Sequence, residues 1–173
     1  MTRISPPTPE QLAIIEQQLG RKPRGIIGVA AATDAGIPLS LKMQPLVEDK
    51  PFPTLYWLCS KDIYQAIAAL ETAGLVKTLE ARIEQDEALK SGHLADQARY
   101  RDLRWAATTD AQRARISELG FTELFNNYGI GGIAQWDKIR CLHMQYAYHL
   151  AEGSTLGRLL DQEYGLSEIS PAL

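Results

Sequence analysis

"PFPTLYWLCSKDIYQAIAAL", residues 51 to 70, changes its period midway. In its first half two prolines precede Thr54, Leu55, Tyr56, Trp57 and Leu58. The prolines block early ladder bonds, and the β-favouring and aromatic residues after them make a strand running to Cys59. From Lys61 the apolar residues Ile63, Ile67 and Leu70 fall at helical spacing, Gly74 interrupts, and the stripe resumes at Leu75, Leu79 and Ile83. Helix patterns dominate the rest of the chain. A small sheet embraced by helices is the economical architecture, so the expectation is an α+β fold with a three-stranded sheet packed against a helical majority.

Upstream of the junction, Gly25 to Ala32 is an apolar run too short for a surface helix. It reads as a strand covered on both faces and central in the sheet. After the turn Thr33 to Gly36, residues Leu39, Leu41 and Met43 alternate with Ser40, Lys42 and Gln44, the period of a half-exposed edge strand. Earlier still, Thr8, Pro9 and Glu10 open a helix that Gly20 closes. Downstream, Glu80 to Lys90 reads as a solvated face, and Leu94 to Ala107 as a helix with Arg99, Arg101 and Arg104 interleaved among acids. Thr109 and Gln112 form a capping box for a helix reaching Leu119, and Phe121 to Phe125 reads as a brief turn. No repeat or linker interrupts the 173 residues, so one domain is expected over 1–173 with a short flexible N-terminus at 1–8. With Trp57 at least partly in the core, Trp57→Ala is expected to cost about 3–5 kcal/mol.

The balance of 18 basic and 21 acidic residues gives a net charge of −3 and no broad attractive field for nucleic acid or anionic lipid. Neither is an expected partner. Cys59 and Cys141 match no disulfide or chelating framework, no apolar leader opens the sequence, and no run approaches the roughly 18 apolar residues of a membrane span. A soluble cytoplasmic protein is the expectation.

The stretch Gly129 to Gly153 carries the candidate chemistry: a glycine-rich turn, then a helical pattern bearing Cys141, His143 and His149. If that helix starts directly behind the glycines, Cys141 and His143 point to nearly opposite sides and His143 and His149 diverge by about 120°. No pair then chelates, and neither a metal nor another cofactor is expected. Gly129, Gly131, Gly132 and Ala134 satisfy G-x-G-x-x-A superficially but lack the preceding strand of a dinucleotide site. What remains is a helix N-terminus with outward amides, where Gly131, Gly132 and Arg140, with Cys141 and His143 close by, are candidate ligand-binding residues for an anion. A plain interhelical turn is an equal reading, as are core roles for the histidines. The leading function is therefore a module binding an anionic small molecule or a protein partner; the alternative is a small enzyme acting on a phosphorylated or carboxylated metabolite through His143 and Cys141. No nucleophile, base and orienting group stand at a defensible spacing, which favours the first.

The succession Gly20-Arg21-x-Pro23-Arg24-Gly25, Gly36-Ile37-Pro38, Pro51 to Leu58, and Lys138-Ile139-Arg140-Cys141-Leu142-His143 resembles the bacterial family called domain of unknown function 501. The resemblance covers most of the chain. It implies that relatives place further cysteines in the turn before Gly-x-Pro and just after the Tyr-Trp strand, as in a thiolate metal or cluster site. This chain has Thr33, Asp34 and Ala35 in that turn and Cys59-Ser60 after the strand.

Overall fold

A computed structural model gives the fold of residues 4–173, the residues described below. Helix α1 (Pro9–Leu19) begins at a complete capping box: the Thr8 hydroxyl accepts from Gln11 N, and the Gln11 side chain accepts from Thr8 N. It ends at Gly20, whose φ of 69° is left-handed. Three strands, β1 (Ile26–Ala32), β2 (Pro38–Met43) and β5 (Tyr56–Leu58), form an antiparallel sheet in the order β1-β2-β5. A two-residue-per-strand hairpin, β3 (Leu46–Val47) with β4 (Lys50–Pro51), interrupts the path from β2 to β5; Glu48 and Asp49 turn it with positive φ.

The strand order reverses the expected roles of β1 and β2. The alternating strand β2 is central, and β1 lies at an edge. Alternation misled because both faces of β2 are covered. Leu41 and Met43 pack with Ile15 of α1, while Ser40, on the opposite face, is fully buried and donates its hydroxyl to the Ala147 carbonyl at 2.9 Å. A small polar residue is buried there because a helix carbonyl satisfies it. The outer edge of β1 is met by the N-terminal segment, where Ser5 bridges Val29 and a side chain on Gly28 would strike Ser5 and Ile4. Of the N-terminal stretch 1–8, residues 1–3 lie outside the described residues.

The helical part runs α2 (Lys61–Thr72), α3 (Leu75–Gln85), α4 (Glu87–Ala106), α5 (Asp110–Leu119), α6 (Thr122–Asn127), α7 (Leu142–Glu152) and α8 (Thr155–Tyr164). Gly74, at φ 92°, separates α2 from α3, and the capping box of Thr109 and Gln112 opens α5. The segment Phe121 to Phe125, expected as a turn, mostly belongs to the short helix α6. Helix α7 packs on β5 and β2, with Tyr148 against Tyr56 at a ring separation of 6.0 Å. The main core forms on this face from Leu55, Tyr56, Leu58, Ile67, Leu79, Leu142 and Tyr146 with the rest of the helical layer. An α+β fold with a three-stranded sheet and a helical majority is what the chain adopts.

Within β5 the two faces differ. Tyr56 and Leu58 are buried on the helical side, whereas Trp57 is half-buried on the α1 side, tilted against Phe52 and covered by the Arg21 guanidinium at 4.9 Å. Because much of its ring borders clefts rather than core, Trp57→Ala is now expected to cost about 2 kcal/mol, below the range for a fully buried tryptophan. Chemical denaturation of the variant measures this. A loss above about 4 kcal/mol would place the ring in the core after all.

Candidate functional site

The site is built where the chain enters α7. The sequence expectation had this helix starting just after the glycines, but residues 133 to 141 are not helical and Leu142 is its first residue. Cys141 is the N-cap, in extended conformation with φ −161° and ψ 131°. The 100° step between helix neighbours therefore does not apply to Cys141. Its thiol and the His143 ring, expected to diverge, instead converge at 3.3 Å between Sγ and Nδ1.

A third group, invisible in the local sequence, joins them. Glu71, in the last turn of α2, places Oε1 3.1 Å from His143 Nδ1 and 3.6 Å from Cys141 Sγ. The same oxygen accepts from Leu142 N at 3.0 Å. An anion at the N-terminus of α7 was expected, since free amides and the helix dipole favour one. The protein supplies its own in Glu71. The glycine turn is not the start of α7: nine residues, 133 to 141, lie between Gly132 and Leu142.

Around that turn most polar groups already have partners. Gly129 N donates to Ile133 O, Gly132 N to Gly129 O, and Ile130 N to the Gln97 side chain at 2.6 Å. Gly131 and Gly132 hold positive φ and pack on Arg140, Met144 and Pro53. Arg140 is exposed, and Lys138 lies 4.0 Å from Glu80. Of the five candidate residues, the structure thus brings Cys141 and His143 together, and it leaves Gly131, Gly132 and Arg140 as a close-packed turn beside them.

The His143 ring is held from two sides. It stacks on Tyr64 with centroids 4.0 Å apart, and its Nε2 lies 3.1 Å from the Tyr64 carbonyl. A carbonyl only accepts, so Nε2 donates a proton to it, and Nδ1 is the ring nitrogen that faces Cys141 and Glu71. Burial pushes the Cys141 thiol above its ordinary range; the Met144 amide at the start of α7 opposes this, and the Glu71 carboxylate adds to it. Cys59, enclosed between the sheet and α1, is pushed up to about 12 by burial and is inert packing.

The other two histidines have structural partners. His93 is buried on α4, where its Nε2 reaches the Lys138 carbonyl and desolvation lowers its pKa. His149 bonds Asp161 through Nε2 at 2.7 Å and accepts from Ser154 N through Nδ1 at 2.9 Å.

Cys141 and His143 form part of the wall of a cleft of about 250 Å³, completed by Phe52, Thr54, Trp57, Leu58, Tyr64 and Met144. Its surface is mostly apolar. Across Phe52 and Trp57 it adjoins a second groove of about 230 Å³ lined by Arg21, Lys22, Pro23, Arg24 and Val47. The loop between α1 and β1 thus brings cations to the groove beside the cleft, whereas Arg140 is in the lining of neither. Sequence reasoning passed over them although they sit together at Arg21-Lys22-Pro23-Arg24, immediately after the helix-ending Gly20.

No helix among the described residues is long and apolar enough to cross a membrane. No curated protein and no solved structure matches the chain. A family match does cover residues 29–160, from β1 through most of α8 and including Glu71, Cys141 and His143; the chain belongs to the family described as protein of unknown function (DUF501).

Proposed function

We propose that the protein is a small enzyme acting on a metabolite with an apolar body and a carboxylate or phosphate at one end. The apolar body occupies the cleft over Trp57 and Met144, the anionic end meets Arg21 and Lys22, and the reacting group meets Cys141 and His143. The observation that carries this reading is the 3.3 Å approach of Cys141 Sγ to His143 Nδ1 in a cleft wall, with the Tyr64 carbonyl orienting the imidazole. A thiol, an imidazole nitrogen and an orienting group at hydrogen-bond distances are an arrangement an enzyme can use. Their absence at sequence level had favoured a pure binding module.

The binding half of the proposal is tested by melting temperature with phenyl phosphate and decanoate as probes. One of them is expected to raise the transition in a concentration-dependent way, by about 2.7 kcal/mol of stabilisation at a hundredfold excess over Kd. The double change Arg21→Ala and Lys22→Ala is expected to abolish the shift, and Arg140→Ala to leave it intact. A shift lost in Arg140→Ala alone would return the anion to the glycine turn.

A further inference from the structure

Glu71, Cys141 and His143 are the one group of three His, Cys, Asp or Glu side chains among the described residues whose donor atoms lie close enough to share an ion. The spacing can be tested against coordination geometry. A tetrahedral zinc with Zn–S of about 2.3 Å and Zn–N and Zn–O of about 2.0–2.1 Å sets its ligand atoms about 3.4–3.6 Å apart. The three edges here are 3.1 Å (Nδ1 to Oε1), 3.3 Å (Sγ to Nδ1) and 3.6 Å (Sγ to Oε1). Two of these edges need to open by only a few tenths of an ångström.

We infer that Glu71, Cys141 and His143 form a binding site for one zinc-class divalent cation, with a remaining coordination position for water or the ligand's reacting group. The inference rests on the reading of the cleft as a reactive site and specifies how its reacting end works.

A second observation, independent of the spacing, points the same way. Histidines that ligate a metal through one ring nitrogen usually donate the other N–H to a carbonyl or carboxylate, which fixes tautomer and ring orientation. His143 has this partner in the Tyr64 carbonyl at 3.1 Å, and Tyr64 also clamps the ring face. Glu71 is held in turn by the Leu142 amide, which leaves its carboxylate further lone pairs for an ion. Two of the three donors, a carboxylate and a potential thiolate, carry negative charge when they coordinate. Crowding them together is unfavourable alone and favourable around a dication, which inverts the local electrostatics. With His143 and Glu71 side chains 13% and 27% exposed, the cluster is shielded yet reachable from solvent.

Three protein ligands with one position left over is the composition of a catalytic rather than a structural zinc site. The metal would supply Lewis acidity where the ligand's reacting group arrives, with Cys141 and His143 acting as ligands rather than as a free nucleophile and base.

The test is Co²⁺ titration of the full, reduced chain, read by absorption. Wild-type protein is expected to bind one Co²⁺ per chain with a thiolate-to-metal charge-transfer band, and Zn²⁺ is expected to displace it. Cys141→Ser is expected to lose the band. Glu71→Gln, whose amide oxygen can still accept from Leu142 N and so preserve the helix start, is expected to weaken Co²⁺ at least tenfold. Circular dichroism of both variants separates loss of site from loss of fold. No band in wild type at stoichiometric Co²⁺ would overturn the inference, as would a band that survives Cys141→Ser, which would place the ion at Cys59. If the phosphate or carboxylate probes bind while cobalt does not, only the metal inference falls; if cobalt binds and no probe does, the reading of the cleft falls.

Discussion

Arg104→Ala is expected to destabilise the protein by about 4 kcal/mol, a large share of a net stability of roughly 5–15 kcal/mol. Arg104 is fully buried near the end of α4 and has no carboxylate partner among its contacts. Its guanidinium donates instead to three backbone carbonyls: Tyr128 at 2.6 Å, Phe125 at 3.0 Å and Pro53 at 3.4 Å. The rings of Tyr100 and Phe125 lie 5.9 and 5.5 Å away. Burying an unpaired cation is costly, and desolvation accordingly lowers the Arg104 pKa. A hydrophobic replacement can be neutral when both members of a buried ion pair are exchanged together. Here the partners are main-chain carbonyls, which no substitution removes, so truncation leaves acceptors buried without donors and a cavity beside them. Arg104→Met restores volume but no donor and is expected to recover only about 1 kcal/mol of the loss. Arg104→Lys is also expected to fail, because one ammonium cannot reproduce a planar fork spanning three acceptors. Urea denaturation decides it: an Arg104→Met protein as stable as wild type would make Arg104 mere filler.

Arg104 also shows where sequence reading stops. In the one-dimensional pattern it stands with Arg99 and Arg101 in a charged helix, and nothing local distinguishes it. Arg99 pairs with Glu152 and Arg101 with Asp102 at the surface, as a charged helix face predicts. Arg104 lies four residues after Tyr100 and seven after Gln97, on the stripe His93, Gln97, Tyr100, Arg104 that faces inward and pins the turns around Pro53, Phe125 and Ile130. A polar stripe at helical period was readable as a face, but its burial depended on carbonyls supplied by chain 20 to 50 residues away.

What local chemistry determines was legible. Thr8, Gly20, Gly74 and Thr109 set helix ends by hydrogen bonds and backbone freedom that need no tertiary partner, and each does so in the structure. The start of α7 was not, because Cys141 is an unusual cap and the apolar residues Ile133, Trp136 and Ile139 prolong a helical-looking spacing ahead of it. That misplaced boundary mattered more than its length suggests. It turned Cys141 and His143 apart on paper and concealed a cluster whose third member, Glu71, comes from a helix 70 residues earlier.

Gly157→Ala is expected to cost about 3 kcal/mol, against the rule that alanine favours a helix interior by about 1 kcal/mol over glycine. Gly157 lies buried in the first turn of α8, where its amide donates to the Ser154 cap at 3.0 Å. A methyl group there would overlap the His149 ring of α7. The ring cannot swing aside cheaply. Its Nε2 is bound to Asp161 at 2.7 Å, its Nδ1 accepts from Ser154 N at 2.9 Å, and Tyr146 shares the same Asp161 carboxylate at 2.6 Å. Either α8 moves off α7, opening the packing of Leu156 and Leu160, or His149 leaves and Asp161 loses a charge-assisted partner, a loss of roughly 1.5–3 kcal/mol. The two routes separate in a double variant. If His149 is the obstacle, His149→Ala made together with Gly157→Ala is expected to be less destabilised than the sum of the two single changes by at least about 1 kcal/mol. Strict additivity in thermal or chemical denaturation would show that the histidine is not what requires glycine at this crossing.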